Sequence, residues 1–99
     1  RIENLDGLQD LIFLDLYDNR IQRIEGLEPV RNLRVLMLGR NHVTRIQNLE
    51  GLAKLDVLDL HGNRITSVEG LEQLQALRVL NLAGNHLRGV TGLGRLDSL

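Results

Sequence analysis

The sequence predicts an α/β repeat solenoid: a right-handed coil of short units, each giving one strand to a parallel concave β-sheet and closing through a short helical or 3₁₀ return segment. Three observations carry this expectation. Asn19, Asn41, Asn63 and Asn85 recur every 22 residues, and a fixed period of that size marks a stacked array. The pairs Leu14/Leu16, Leu36/Leu38, Leu58/Leu60 and Leu80/Leu82 have the spacing of two that places both side chains on one face of a strand. After each Asn the apolar spacing changes to three, through Ile21, Ile24 and Leu27 and then Val43, Ile46 and Leu49, which suits a helical or 3₁₀ turn.

Taken in chain order, residues 1–99 form a single segment: a partial repeat 1–7, full repeats 8–29, 30–51, 52–73 and 74–95, and a partial repeat 96–99. Leu8, Val30, Leu52, Leu74 and Leu96 open the units, and Leu11, Leu33, Leu55, Leu77 and Leu99 follow three residues later. The Leu-x-Leu strand comes next, then the Asn. A polar column inside a stack is costly unless satisfied, so Asn19, Asn41, Asn63 and Asn85 are expected to form a structural ladder bonding loop backbone in adjacent turns. Gly26, Gly51, Gly70 and Gly92 fall near the return turn, though not all in one column, and Pro29 stands where other units have Gly7 and Gly51. Both residue types suit a turn or a helix start. Ile2 and Leu5 match Ile24 and Leu27, and no polar cap flanks either end. An uncapped solenoid exposes an apolar edge, so the chain is expected to be a piece of a longer array.

Composition narrows the class. The chain is 42% hydrophobic but has one Phe, one Tyr, no Trp and no Cys, so its core must be built from stacked aliphatic side chains. A net charge of −1 gives no global attraction to nucleic acid or to an anionic membrane. The absence of Cys excludes a disulfide framework and suits a reducing, cytoplasmic compartment. No apolar run is long enough to span a bilayer, and Arg1-Ile2-Glu3 does not begin a signal peptide.

Catalytic and metal chemistry find no constellation. His42 and His86 share a column two turns apart, about 10 Å by strand spacing, too far for one zinc ion with ligands at about 2 Å. His61 stands in another column, with Asp59 near enough for an ordinary contact. Asp15 and Asp59 are also two strands apart, and an open repeat sheet offers no enclosed pocket or oxyanion hole. Ser67, Ser98 and the Thr residues lack a base at defined spacing, and no phosphate-binding Gly-rich loop occurs. The Arg residues are spread over several faces and the aromatics are too few to stack on bases. The chain is therefore expected to be no enzyme, to hold no metal or cofactor, and to bind neither nucleic acid, membrane nor small-molecule substrate.

What remains is recognition of a protein. Residues of opposite parity to the core leucines face the concave sheet surface. They form the columns Phe13, Val35, Val57 and Val79; Asp15, Met37, Asp59 and Asn81; and Tyr17, Gly39, His61 and Ala83, flanked by Asp18, Arg40, Gly62 and Gly84. The first is an apolar row enlarged by Tyr17 and Met37, and serves either partner binding or strand packing. Ile12, Arg34, Asp56 and Arg78 alternate in charge, as cross-strand pairing requires. Arg20, His42, Arg64 and His86 in one column, with Arg1, Arg23 and Arg45 in another, make one loop edge basic, where an acidic partner could dock. Asp6, Glu28, Glu50 and Glu72, with Glu3, Glu25 and Glu69, line the return segment with carboxylates. They complement N–H groups and a local helix dipole there, or recognise a basic partner.

The pattern Leu-x-x-Leu-x-x-Leu-x-Leu-x-x-Asn-x-Ile-x-x-Ile-x-x-Leu resembles the 22-residue class of leucine-rich repeats typified by a regulatory subunit of protein phosphatase 1. Leu33-Arg34-Val35-Leu36-Met37-Leu38-Gly39, Leu55-Asp56-Val57-Leu58-Asp59-Leu60-His61-Gly62-Asn63, Leu77-Arg78-Val79-Leu80-Asn81-Leu82-Ala83 and Leu96-Asp97-Ser98-Leu99 further resemble the non-catalytic leucine-rich-repeat subunits of tubulin polyglutamylase complexes. The resemblance implies a scaffold or adaptor that targets a tubulin-modifying complex to microtubules of a cilium, flagellum or centriole. A regulatory subunit covering an enzyme such as protein phosphatase 1, or a structural spacer in a larger array, are the alternatives.

Overall fold

A computed structural model describes residues 1–88. Gly92, Leu96, Leu99 and the partial repeat 96–99 lie outside the described residues. Four three-residue strands, β1 (Phe13–Asp15), β2 (Val35–Met37), β3 (Val57–Asp59) and β4 (Val79–Asn81), form one parallel sheet in chain order. The register sets Phe13 beside Val35, Val57 and Val79, so each turn of the solenoid takes up 22 residues. Interturn bonding continues past the strands: Leu16 N–H donates to Met37 O at 2.8 Å and Asp18 N–H to Gly39 O at 2.9 Å.

The return segments differ from the expected helical or 3₁₀ form: among the described residues they contain neither. Val30 N–H donates to Leu27 O and Leu33 N–H to Val30 O, both at 3.1 Å, and the same two bonds recur at Leu52 and Leu55 and at Leu74 and Leu77. Each bond closes its own turn. A 3₁₀ helix needs such bonds on consecutive residues, so the period of three reflects linked β-turns that bring every third side chain inward. Just before them, Asn4, Gly26, Asn48 and Gly70 have φ between 62° and 75°. That left-handed backbone interrupts any helical run. With no helix in the return segments, no helix dipole acts on Glu3, Glu25, Glu69, Asp6, Glu28, Glu50 or Glu72.

Asn4, Gly26, Asn48 and Gly70 are 22 residues apart and belong to a single column. Each turn brings this residue against the carbonyl 24 positions earlier. A Cβ on Gly26 would lie 2.7 Å from Ile2 O, and one on Gly70 would collide with Ile46 O. Asn48 occupies the same place and turns the approach into a hydrogen bond, its Nδ2 donating to Ile24 O at 2.7 Å. Gly and Asn also tolerate positive φ better than other residues do.

The core is a stack of aliphatic rows. Ile24, Leu27, Leu33, Leu36, Leu38, Ile46, Leu49, Leu55, Leu58, Leu60 and Ile65 are at most 1% exposed. Their counterparts Leu5, Leu11, Leu14, Leu16, Leu80, Leu82 and Leu87 in the outer turns are only partly buried. A leucine is sealed only when a turn packs on each side of it, which is the nearest-neighbour energetics of a solenoid.

The Asn column closes the stack beside the sheet. Asn63 Nδ2 donates to Leu38 O at 3.0 Å in the preceding turn and to Leu60 O at 2.9 Å in its own, while its Oδ1 accepts from Val43 N–H at 2.9 Å. Asn41 bonds Leu16 O, Leu38 O and Ile21 N–H in the same way, and Asn85 bonds Leu60 O, Leu82 O and Ile65 N–H. Asn19 reaches only Leu16 O and Tyr17 O of its own turn. No buried side-chain nitrogen or oxygen among the described residues lacks a partner.

Candidate functional site

The short strands place Phe13, Val35, Val57 and Val79 in one row on the outer face of the sheet. Phe13 is 55% exposed and Val79 51%, whereas Val35 and Val57 are half-buried between neighbours. The apolar surface is therefore concentrated at β1, where Ile12 at 52% and Tyr17 at 43% extend it, and half-buried Met37 continues it onto β2.

The next column, read from sequence as outward binding residues, has a structural task. Asp15 Oδ1 accepts from Tyr17 N–H at 3.0 Å, Asp59 Oδ1 from His61 N–H at 3.0 Å, and Asn81 Oδ1 from Ala83 N–H at 3.1 Å. These are Asx-turns, in which a short polar side chain bonds backbone two residues on and ends the strand. An Asp or Asn followed two positions later by the loop residue was the available signal. Met37 is the exception in the column, leaving its side chain to the surface.

Gly39 lets two of the predicted site residues meet. Tyr17 and His61 are in alternate turns, and their ring centroids come within 5.6 Å at an interplanar angle of 31°. A Cβ on Gly39 would sit 2.5 Å from His61 Nδ1 and 3.1 Å from Tyr17 Cδ1. Only a residue without a side chain permits this packing. Asp59 Oδ1 lies 2.7 Å from His61 Nδ1 and holds the imidazole in place. With Nδ1 so engaged, Nε2 is the ring nitrogen left for an outside group.

Arg40 borders the cluster. Its Nη1 donates to Tyr17 Oη at 3.4 Å and its guanidinium lies 5.9 Å from the Tyr17 ring centroid. The hydrogen bond to Tyr17, followed by electrostatic attraction to Tyr17 and Asp18, raises the Arg40 pKa above its ordinary value. Phe13, Tyr17, Met37, Arg40 and His61 are thus drawn to the N-terminal half of the sheet face. Val79 and Asn81 lie away from them on β4.

The charged columns divide. In the column beside the strands Arg78 donates from Nε and Nη2 to the two Asp56 oxygens at 2.7 and 2.6 Å. That fork holds the Asp56 carboxyl below its ordinary pKa, hydrogen bonding being the largest cause. Arg34 makes no ion pair among the described residues. On the loop side, Arg45 lies 3.2 Å from Glu69 and Arg23 3.7 Å from Glu25. Their column is therefore largely neutralised, contrary to its expected share in a basic edge. No group of three or more His, Asp or Glu that could hold a metal ion occurs among the described residues, nor is any helix there long and apolar enough to cross a membrane.

A family model described as leucine rich repeat matches residues 31–87, more than half of the chain. The chain belongs to the leucine-rich-repeat family. Among solved structures, an internalin from Listeria monocytogenes superposes with a TM-score of 0.83 at 28% identity over 96% of this chain. A leucine-rich-repeat protein of Leptospira interrogans is 36% identical over 79% of it, with a TM-score of 0.75. A chain of the Drosophila melanogaster SNF/U2A′ complex is 31% identical over 88%, with a TM-score of 0.75. The matched region spans 28%, 21% and 53% of those three chains, respectively. No curated protein matches this chain. Leucine-rich-repeat solenoids are in general protein-interaction modules, offering the extended concave surface of a stacked array.

Proposed function

We propose that this leucine-rich-repeat segment is a non-catalytic adaptor that binds a protein partner on the N-terminal half of its sheet face. One observation carries the proposal: Phe13 and Tyr17 stand exposed beside Met37, bordered by the hydrogen-bonding groups of Arg40 and His61. Aromatic, Met and Arg side chains of this kind form the buried anchors of protein interfaces, with polar groups at the rim. Val35, Val57, Val79, Asp59 and Asn81 supply strand packing and loop geometry around that patch. Phe13 is 55% exposed, so burying the rest of it on a partner would contribute about 1–1.5 kcal/mol.

The finer proposal is that the partner belongs to a tubulin-modifying complex and that the adaptor works in the cytoplasm, at a cilium, flagellum or centriole. Its support is the resemblance carried by Leu33–Gly39, Leu55–Asn63 and Leu77–Ala83. Affinity purification of the protein containing this segment tests both levels. Recovery of tubulin and glutamylase subunits, lost on combining Phe13→Asp with Met37→Asp, is the expected result. A phosphatase catalytic subunit in their place would replace the finer reading with enzyme regulation. Retention of every partner by the folded double variant would overturn the sheet-face site.

A further inference from the structure

We propose that the loop edge next to the sheet is a second docking site, and that its occupant is an extended acidic polypeptide segment. Arg20, His42, Arg64 and His86 follow the ladder Asn in successive turns and line one open groove of about 1030 Å³, with Arg1 and Arg40 along its margin. Asp18 is the one carboxylate in that lining. Counting the Arg and Asp of the lining, four against one give +3, or +2 with Glu25 beside Arg1 included, in a chain whose net charge is −1. Charge of one sign gathered in a concave strip raises the local concentration of an oppositely charged partner.

Two of these cations, Arg20 and Arg64, are available to a ligand, whereas Arg1 lies 4.0 Å from Glu25 and Arg40 4.0 Å from Asp18. Arg23 and Arg45 are met by Glu25 and Glu69, but no carboxylate among the described residues lies within 4.0 Å of Arg20 or Arg64. The backbone along the groove is already spent: Ile21 and Val43 N–H donate to ladder Asn, and His42 and Arg64 N–H to Ile21 and Val43 carbonyls. A peptide cannot add to this edge as a strand, so recognition falls to the long side chains. Arg40 has φ of 55° at a position where the following turns have Gly62 and Gly84.

Shape selects the class of occupant. Three turns separate Arg20 from His86, about 14 Å at strand spacing, which four or five residues of extended chain cover. No Phe, Tyr or Trp lines the groove to stack on bases. A duplex with a phosphate charge every ~1.7 Å would also project beyond the groove towards the carboxylates of the return segments. A short run of Asp or Glu keeps its charge inside.

Fluorescence anisotropy with a labelled peptide carrying consecutive Glu flanked by Gly and Ser tests the site. The expected result is binding that weakens as ionic strength rises. Affinity should fall at least about tenfold for the Gln counterpart of the peptide and for Arg20→Glu combined with Arg64→Glu, a change of about 1.4 kcal/mol. Phe13→Asp, which alters the sheet face alone, should leave it unchanged, so this site and the sheet-face site fail separately. Should the charge-reversed chain not fold by circular dichroism, Arg20→Gln with Arg64→Gln removes the same charges and should show the same loss. Equal binding of the Gln peptide, or unaltered affinity in a folded Arg20/Arg64 variant, would overturn the proposal. So would displacement of the Glu peptide by a thymidine oligonucleotide at lower concentration than by unlabelled peptide.

Discussion

Replacing Asn63 by Ala isolates what the ladder contributes. Asn63 is 3% exposed and ties its own turn to the preceding one. Its three carbonyl acceptors are not orphaned by the change, because Leu38 O still accepts from Asn41 Nδ2 at 3.0 Å, Leu60 O from Asn85 Nδ2 at 2.8 Å and His61 O from Arg40 N–H at 2.8 Å. Val43 N–H loses its acceptor. One buried unsatisfied donor costs about 1–3 kcal/mol, and the two shorter of the lost carbonyl bonds add about 0.5–1.5 kcal/mol each. The middle of that range, about 4 kcal/mol, corresponds to a fall in Tm of about 16–32 °C for a domain of this size. Asn19→Ala is the internal control, since that side chain is exposed and bonds only its own turn. It should cost less than about 1 kcal/mol. Thermal and urea unfolding followed by circular dichroism measure both variants. Losses equal within about 0.5 kcal/mol would refute the premise that interturn bonds, and not the turn geometry alone, make this column stabilising.

Three further outcomes follow from local geometry. Gly70→Ala should destabilise by about 2 kcal/mol or more, through positive φ and collision with Ile46 O, while Gly51→Ala, with open space around its Cβ, should be neutral or gain up to about 1 kcal/mol in urea titrations. Arg40→Gly should raise stability by about 1 kcal/mol, because it relieves a left-handed non-Gly residue; a loss would show that the contacts to Tyr17 outweigh the backbone cost. The Asp56 pKa is lowered in the fold, so its pairing with Arg78 favours the native state above the ordinary carboxylate pKa of about 3.9 and fades as pH falls through the lower native value. Unfolding between about pH 4 and pH 2 should therefore weaken the natural chain more steeply than Asp56→Asn, and parallel pH profiles would contradict the pairing.

Periodicity alone determined the stacking: the Asn and Leu columns specify which residues face the core, because a 22-residue repeat aligns like with like and a spacing of two leaves no other strand face to bury. The return segment was ambiguous at that level. A spacing of three is shared by 3₁₀ helices and by linked β-turns, and the left-handed residues at Asn4, Gly26, Asn48 and Gly70 decided for turns. The column of outward polar residues was equally divided. Asp15, Asp59 and Asn81 read as ligand-facing by parity, yet bond their own loops, since an Asx side chain reaches backbone two residues away before it reaches a partner. Only tertiary structure could set Tyr17 against His61 across Gly39, residues 44 apart in the chain and two turns apart in space. Only it could separate the neutralised arginines from Arg20 and Arg64. Which of two like charges finds a carboxylate depends on distances of an ångström or so between neighbouring turns, and a linear repeat carries the columns without those distances.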